Sequence, residues 1–537
     1  MPRLFLAGVL MSLVFASSGT LTAAAATYEP RTDVIPLTTG LFGASRDSSQ
    51  EMRTFRAIPF AAPPVGNLRW QPPQPVTPWE GVRRGDNFSP ACTQQIRDFR
   101  ALFYQSTEGS SEDCLYLNVW TPAQTPAEKK PVMVFFYGGG NTAGSGSAPA
   151  SSGKGLASKG AVVVSFNYRL GAFGFLAHPE LSAESPNGVS GNYALLDQIA
   201  VLQWIHDNIT AFGGDPNNVT MYGPSAGAVN MTVLLASPLA SGLFHKAVLE
   251  SLSIFPAANP NPTLAIGEKT GLAFASAAGV TSLAALRAMH APDLLRVPGS
   301  FSPYVDGYVF PDQIDQLFAS GQVADIPIIV GWNANEGTPY PPFATTAADF
   351  LSRAERTYGD RAAEFLALYP VSTDADAQRL AFQPGTDGGF AWQAYTLARA
   401  HQAASKSNTF VYHFTRTPPY FADQHYMELD PPSLFGAYHG SEQAYLYNNL
   451  DALPRPYTAV DRTLADTASS YLVNFATTGN PNEGPLRGLP SWPTFGGPNG
   501  PLMLLGESIA PAAVPNRTAF DFYDSFYAQA RGRGLAF

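Results

Sequence analysis

The chain predicts an α/β fold, a mostly parallel sheet flanked by helices, on three observations. Short apolar runs that end in Gly or Asn recur through its middle. Helix-spaced apolar residues lie between them, and a Gly-x-Ser-x-Gly turn joins one run to a helix-compatible segment. Val132–Tyr137 and Ala161–Phe166 are almost wholly apolar, as strands covered on both faces must be. From Tyr193 to Phe212, Leu195, Leu196, Ile199, Leu202, Ile205 and Ile209 recur at helical spacing. Gly213-Gly214 should end that helix, and Asp215-Pro216 should turn the chain into a strand over Asn218–Tyr222. Lys246–Leu249 and Ile326–Val330 read as further strands. Alternating strands and helices of this kind imply parallel pairing. Residues 261–300 and 345–402 read as helical and are expected to form a cap beside the sheet.

At 537 residues and 45% hydrophobic content, the chain can bury a large core. Charged residues are only 14%, and 48 Gly and 47 Pro point to long loops, while 12% aromatics exclude a disordered chain. A net charge of −10 argues against nucleic acid, which requires basic patches. Nor is there a basic amphipathic stretch suited to an anionic membrane surface. Residues 1–26 read as a signal peptide: Arg3, an apolar stretch from Leu4 to Phe15, and small residues at Ala23–Ala26. That apolar stretch is too short to span a bilayer, which takes about 20 residues. No later segment is long and apolar enough either. The expectation is a secreted or periplasmic protein with no integral membrane segment after cleavage, and with residues 27–537 forming a single domain. Two cysteines, Cys92 and Cys114, would in an oxidising compartment close a loop of about 23 residues, worth about 3 kcal/mol. Two unpaired core thiols are the alternative. Neither has Cys or His neighbours at zinc spacing, and no metal is expected.

Gly223-Pro224-Ser225-Ala226-Gly227 has the form of a nucleophile elbow, a strand-to-helix turn so tight that only small residues fit beside the serine. A serine hydroxyl needs a base to take its proton and N–H donors for the oxyanion that forms. Tyr137-Gly138-Gly139-Gly140 follows an apolar strand upstream of the elbow, where Gly139 and Gly140 can turn their N–H groups inward beside that of Ala226. The base should follow the acid, and the acid the elbow. Chain order leaves His290, His401, His413, His425 and His439 open. For the acid, Glu336 lies just past the Ile326–Val330 strand, at the end where active-site carboxylates sit. Asp306 in Val305-Asp306-Gly307 is its rival, with a turn as the plainer role.

These motifs sit among others that together resemble the type-B carboxylesterases, the cholinesterase and carboxylesterase family of the α/β-hydrolase fold. They include Ala57–Gly66 with Leu68-Arg69-Trp70, Ser111–Trp120, Asn167–Gly171, Gly191-Asn192-Tyr193, Phe212–Pro216, Asn474–Asn482 and Trp492-Pro493. The resemblance runs from about residue 28 to residue 525. It implies an α/β-hydrolase fold, with a central mostly parallel sheet flanked by helices and helical cap insertions. It implies a carboxylic ester hydrolase acting on a small-molecule ester through an acyl-enzyme, with no cofactor. Carried over by position, Ser225 is the nucleophile, Glu336 the acid and His439 the base. Gly139, Gly140 and Ala226 are oxyanion donors, Ser251 supports the acid, and Cys92–Cys114 is the family's first disulfide. The chain departs from the pattern at four places. Pro224 replaces the usual Glu and so removes a carboxylate beside the histidine. Tyr137 replaces His and Asn141 an aromatic residue, both at positions that border the acyl site in relatives. Leu252 stands where Gly is preferred. A carbamate, amide, aromatic or polymeric ester hydrolase is the alternative within this chemistry. A non-catalytic adhesion member is the alternative outside it, though such a protein should lack the serine or histidine.

Overall fold

The computed structural model describes residues 33–49, 51–96, 102–103, 108–257, 259–427 and 429–535; the expected signal peptide lies outside them. The described residues build a ten-stranded sheet. In chain order its strands are β1 (Arg53–Pro59), β2 (Tyr116–Thr121), β3 (Lys130–Phe135), β4 (Val162–Phe166), β5 (Gly214–Pro224), β6 (Lys246–Glu250), β7 (Ile328–Asn333), β8 (Thr409–Phe414), β9 (Leu502–Leu505) and β10 (Ile509–Ala512). Across the sheet they lie β10-β9-β8-β7-β6-β5-β3-β4-β2-β1. From β9 to β4 every neighbour is parallel, and only the edges are antiparallel. This is the α/β-hydrolase arrangement that the apolar runs anticipate: Val132, Met133, Val134, Val162, Val163 and Val164 are each 0% exposed.

The chain passes from β3 outward to β4, then returns to lay β5 on the other side of β3. Such a reversal opens a crevice at the carboxyl ends of the two strands on either side of it. Here those ends carry Tyr137–Gly140 and Ser225. Topology therefore brings the glycine run and the elbow together, although more than eighty residues separate them in sequence.

Helix α1 (Tyr193–Asn208) follows the predicted periodicity but stops earlier. Its last residues tighten into a 3-10 turn, Ile209–Phe212, and Gly213 closes it at φ 80°. Asp215-Pro216 does not turn the chain into the strand as expected. Both residues already belong to β5, and the break appears as a register irregularity between Gly214 and Val219. Helix α2 (Ala226–Ala236) springs directly from the elbow. The predicted helical regions contain α3 (Leu264–Ala277), α4 (Ala347–Tyr358) and α5 (Trp392–Ala404). A π-helical turn, Thr386–Ala391, precedes α5, and it places Phe390 at the site described below. Near the end of the chain, α6 (Ala459–Thr478) starts on a Thr458–Asp461 capping box. Asp461 also takes Arg416 at 2.7 Å and the Tyr445 hydroxyl at 2.9 Å, which anchors both ends of the loop after β8. None of the helices among the described residues is long and apolar enough to cross a membrane.

Cys92 and Cys114 are joined, with Cα atoms 4.9 Å apart. Two residues past Cys92, the Gln94 amide grips Gly144 from both sides: Nε2 donates to the Gly144 carbonyl at 2.7 Å, and the Gly144 N–H donates to Oε1 at 2.9 Å. The disulfide loop thus braces the segment just after the glycine run. Replacing both cysteines by serine should cost about 3 kcal/mol, from the freed loop of sequence separation 22. Guanidinium unfolding of the two proteins measures it, and an unchanged midpoint would contradict the assignment.

Candidate active site

Ser225 sits between β5 and α2 with φ 58° and ψ −127°, a conformation that costs a non-glycine residue about 1–3 kcal/mol. Surrounding contacts hold it there. Its N–H donates to the Glu250 carbonyl at 2.7 Å, and its carbonyl accepts from the Val229 N–H at 2.9 Å. The flanking glycines are required by packing against the end of β3. A Cβ on Gly223 would lie 2.0 Å from the Phe136 carbonyl oxygen, and one on Gly227 would lie 2.1 Å from the same atom.

The glycine run forms a tight loop closed by the N–H groups of Thr142 and Ala143 on the Gly139 carbonyl, both at 3.1 Å. Gly139 has φ 99°, and a Cβ there would meet the Ala143 carbonyl oxygen at 2.1 Å. Among the described residues, no group accepts from the N–H of Gly139, Gly140 or Ala226. Gly139, Gly140 and Ser225 line one cavity of about 710 Å³, together with His439.

His439 Nδ1 meets Glu336 Oε2 at 2.6 Å, with both side chains buried. Since a carboxylate oxygen accepts, Nδ1 is the donor of this bond, and in the neutral imidazole Nε2 is then the acceptor. Glu336 is held on its other oxygen by the Ser251 hydroxyl at 2.6 Å and the Asn333 N–H at 2.7 Å. The loops bearing the two residues are tied to each other. Asn335 and Ala437 exchange bonds of 2.9 and 3.0 Å, and Asn333 Nδ2 donates to the Tyr438 carbonyl at 2.8 Å. Aromatic rings surround the imidazole: Phe390 at 4.6 Å, Tyr340 at 5.5 Å and Phe103 at 6.2 Å between centroids.

The other histidines left open by chain order lie elsewhere. His401 is wedged between Thr409 Oγ1 and the Ile326 carbonyl, and His413 packs on Trp332; burial pushes both down to about 4. His290 is exposed. His425 lines the cavity, but its Nδ1 faces Asp430 at 2.9 Å. Asp306 makes the turn foreseen for it, accepting from the N–H groups of Tyr308, Val309 and Phe310. Tyr137 lines the cavity, stacks on Tyr168 at 4.1 Å and donates its hydroxyl to the Tyr168 carbonyl. Asn141 stands apart from the cavity. It is not among the residues lining the cavity, and its amide is buried in a reciprocal pair with that of Asn230, at 3.2 and 2.9 Å. Leu252 is fully buried.

Pro224 does leave its position without a carboxylate, but the surroundings of the histidine are not short of them. Sequence reasoning missed Glu442 and Glu250, both 0% exposed. Glu442 accepts from Asn333 Nδ2, and Glu250 accepts from the Tyr447 hydroxyl at 2.7 Å; among the described residues the second oxygen of each has no partner. Burial, and next the Glu336 charge, raise Glu442 to about 7; burial, and next Glu442, raise Glu250 well above the carboxylate range. The available signal was local: Glu442 stands three residues after His439, and Glu250 immediately before Ser251.

Two predictions follow from this geometry. Gly227→Ala should displace the elbow and lower turnover at least a hundredfold, because the new Cβ meets backbone 2.1 Å away. Steady-state kinetics on the folded variant checks this, and wild-type turnover would contradict it. The second concerns pH. Folded Glu442 holds its proton up to about 7, whereas the unfolded chain releases it near the ordinary 4.5. The native state then binds more protons, so stability falls as pH rises between those values. Glu442→Gln removes that share of the fall. Its urea midpoint should therefore gain on the wild type across that window, and a constant difference would contradict the burial argument.

Comparison with known proteins agrees along nearly the whole chain. The model of the carboxylesterase family matches residues 34–522. A fumonisin B1 esterase of Sphingopyxis macrogoltabida is 37% identical over 490 residues, which cover 87% of this chain and 86% of that protein. A para-nitrobenzyl esterase of Bacillus subtilis (strain 168) is 35% identical over 468 residues, covering 82% and 88%. An acetylcholinesterase of Bungarus fasciatus is 31% identical over 486 residues, covering 82% and 77%. The fold, the match and these relatives agree: the chain belongs to the carboxylesterase family.

Proposed function

We propose that this member of the family is an exported serine esterase that cleaves small carboxylic esters through an acyl-enzyme intermediate. Ser225 is the nucleophile, His439 the base and then the acid, and Glu336 the carboxylate that orients His439. The observation that carries this reading is the 2.6 Å contact between His439 Nδ1 and Glu336, on the wall of the cavity that also holds Ser225. With Nδ1 engaged, Nε2 is the atom that takes the Ser225 proton as Oγ attacks the ester carbonyl. The carbonyl oxygen becomes an oxyanion and is met by the unpartnered N–H groups of Gly139, Gly140 and Ala226, each such donor typically worth about 3 kcal/mol. The protonated imidazole then gives its proton to the leaving alcohol. Water, activated in the same way, attacks the acyl-enzyme and restores the serine. Ser251 acts through Glu336 by holding its orientation, and no organic cofactor enters these steps.

Residues 27–537 act as one catalytic domain, delivered by the leader 1–26 to the periplasm or the medium. The Cys92–Cys114 bridge supports that destination, since such bonds persist where the surroundings are oxidising. The alternative is a specialised hydrolase of carbamates, amides or aromatic or polymeric esters, toward which Pro224 points as a departure from the family's usual carboxylate beside the histidine. The similarity to a protein that acts on fumonisin B1 is compatible with this.

Purified wild-type protein should hydrolyse 4-nitrophenyl butyrate, and a fluorophosphonate should label it once, on Ser225. Ser225→Ala should lose about 10⁴-fold or more in kcat together with the label. Full activity in Ser225→Ala would sink the assignment of the nucleophile, and no turnover or labelling in the wild type would sink the esterase reading.

A further inference from the structure

One cation at the cavity wall is not used by the chemistry above. Arg455 lies on the loop between β8 and α6, and its guanidinium sits over three tyrosine rings: Tyr420 at 4.4 Å, Tyr438 at 5.8 Å and Tyr426 at 5.9 Å. Its Nη2 donates to the hydroxyls of Tyr438 at 2.8 Å and Tyr426 at 3.3 Å. Its Nη1 is shut off from solvent and has no partner, and among the described residues no carboxylate pairs with the group.

Charge distribution sharpens the point. Across a chain of net charge −10, the described residues lining this cavity include Arg455, His425 and His439 but no Asp or Glu. His425 is already engaged by Asp430, and His439 by Glu336. Arg455 is half-buried, and its charge meets no counter-ion among the described residues while its Nη1 has given up water, a cost that a ligand anion beside it would offset. The tyrosines prepare for that ligand. Tyr438 accepts from Arg455, and Tyr426 accepts from Arg455 and from Gln424 Nε2 at 2.9 Å, so each phenol must direct its own proton elsewhere. Tyr426, Tyr438 and Arg455 all line the cavity, and Tyr438 is the residue just before His439.

We propose that Arg455, framed by Tyr426 and Tyr438, is a recognition site for a carboxylate on the substrate, so that the enzyme selects esters that keep a free carboxylate. The Arg455 charge draws a carboxylate toward the cavity wall, and the Tyr426 and Tyr438 hydroxyls, whose own protons are not used on Arg455, are the donors that meet it. Arg455 takes no part in bond making. It selects and orients the ester whose carbonyl Ser225 attacks, and in that sense the inference rests on the esterase reading.

Two matched ester pairs test it. In the first the acid is on the acyl arm, mono-4-nitrophenyl adipate against 4-nitrophenyl hexanoate. In the second it is on the alcohol arm, 4-carboxyphenyl butyrate against 4-methoxycarbonylphenyl butyrate. Wild-type protein should favour the acid of at least one pair by tenfold or more in kcat/KM, mostly through KM, and the pair concerned identifies the arm. In Arg455→Gln that preference should fall close to one. Arg455→Lys should keep part of it, because the charge remains while the paired bonds that hold Tyr426 and Tyr438 are lost. The neutral ester in each pair is the internal reference, since damage to the fold lowers both members alike. Wild-type turnover of the neutral esters without preference for either acid would overturn the carboxylate site and leave the esterase reading intact. A preference that survives in Arg455→Gln would do the same. No turnover of any of the four, with no fluorophosphonate labelling, would overturn both.

Discussion

The Phe136 carbonyl oxygen, at the end of β3, lies about 2 Å from where a side chain on either Gly223 or Gly227 would begin. Only hydrogen fits there on both sides of Ser225, so the elbow can press against the neighbouring strand. The Phe136 N–H meanwhile donates to the Tyr222 carbonyl at 2.8 Å and continues the pairing to the last residues before the turn. The strained φ of Ser225 is the consequence of this approach. So is the placement of the serine within one cavity with the glycine loop that leaves β3. A few tenths of an ångström lost here would move the Ser225 hydroxyl away from the N–H groups of Gly139, Gly140 and Ala226, and the proposed reaction is acutely sensitive to that distance.

Around that fixed point the carboxylates are divided by how many donors reach them. Glu336 receives Ser251, the Asn333 N–H and His439, and both of its oxygens are used. Glu250 and Glu442 receive one donor each and keep a bare oxygen in a buried setting. Burial therefore favours their neutral forms, which limits the negative charge collected behind the histidine. Asn333 links the two kinds, giving its backbone to Glu336 and its side chain to Glu442. Pro224 lines the cavity, whereas these carboxylates lie in the core. Among the described residues the cavity wall thus carries no Asp or Glu, while the histidine keeps carboxyl groups around it.

The parts of the site that depend on adjacent residues were readable in the sequence. Gly223 to Gly227 and Gly138 to Gly140 carry their geometry in their own composition, and the apolar runs of β3 and β4 declare burial on both faces. The proposed base was not readable from order alone. His401, His413 and His439 are all enclosed, and what separates them is whether the partner is Thr409, Trp332 or Glu336, which only tertiary packing decides. The pairing of Asn141 was unreadable for a similar reason. Its buried partner Asn230 lies on α2, eighty-nine positions away, and a paired amide satisfies itself better in the core than at the cavity. The Arg455 cage was invisible because its tyrosines sit at 420, 426 and 438, in loops with no periodic pattern, gathered only when the segment after β8 is pinned to Asp461.

The most direct test of this account is a crystal structure of the protein after reaction with a diethyl phosphonylating agent, whose tetrahedral phosphorus imitates the intermediate. The account predicts one adduct, on Ser225, with the phosphoryl oxygen within about 2.7–3.1 Å of the Gly139, Gly140 and Ala226 nitrogens. His439 should remain bonded to Glu336. An adduct on another residue, or a phosphoryl oxygen turned away from those three N–H groups, would contradict it.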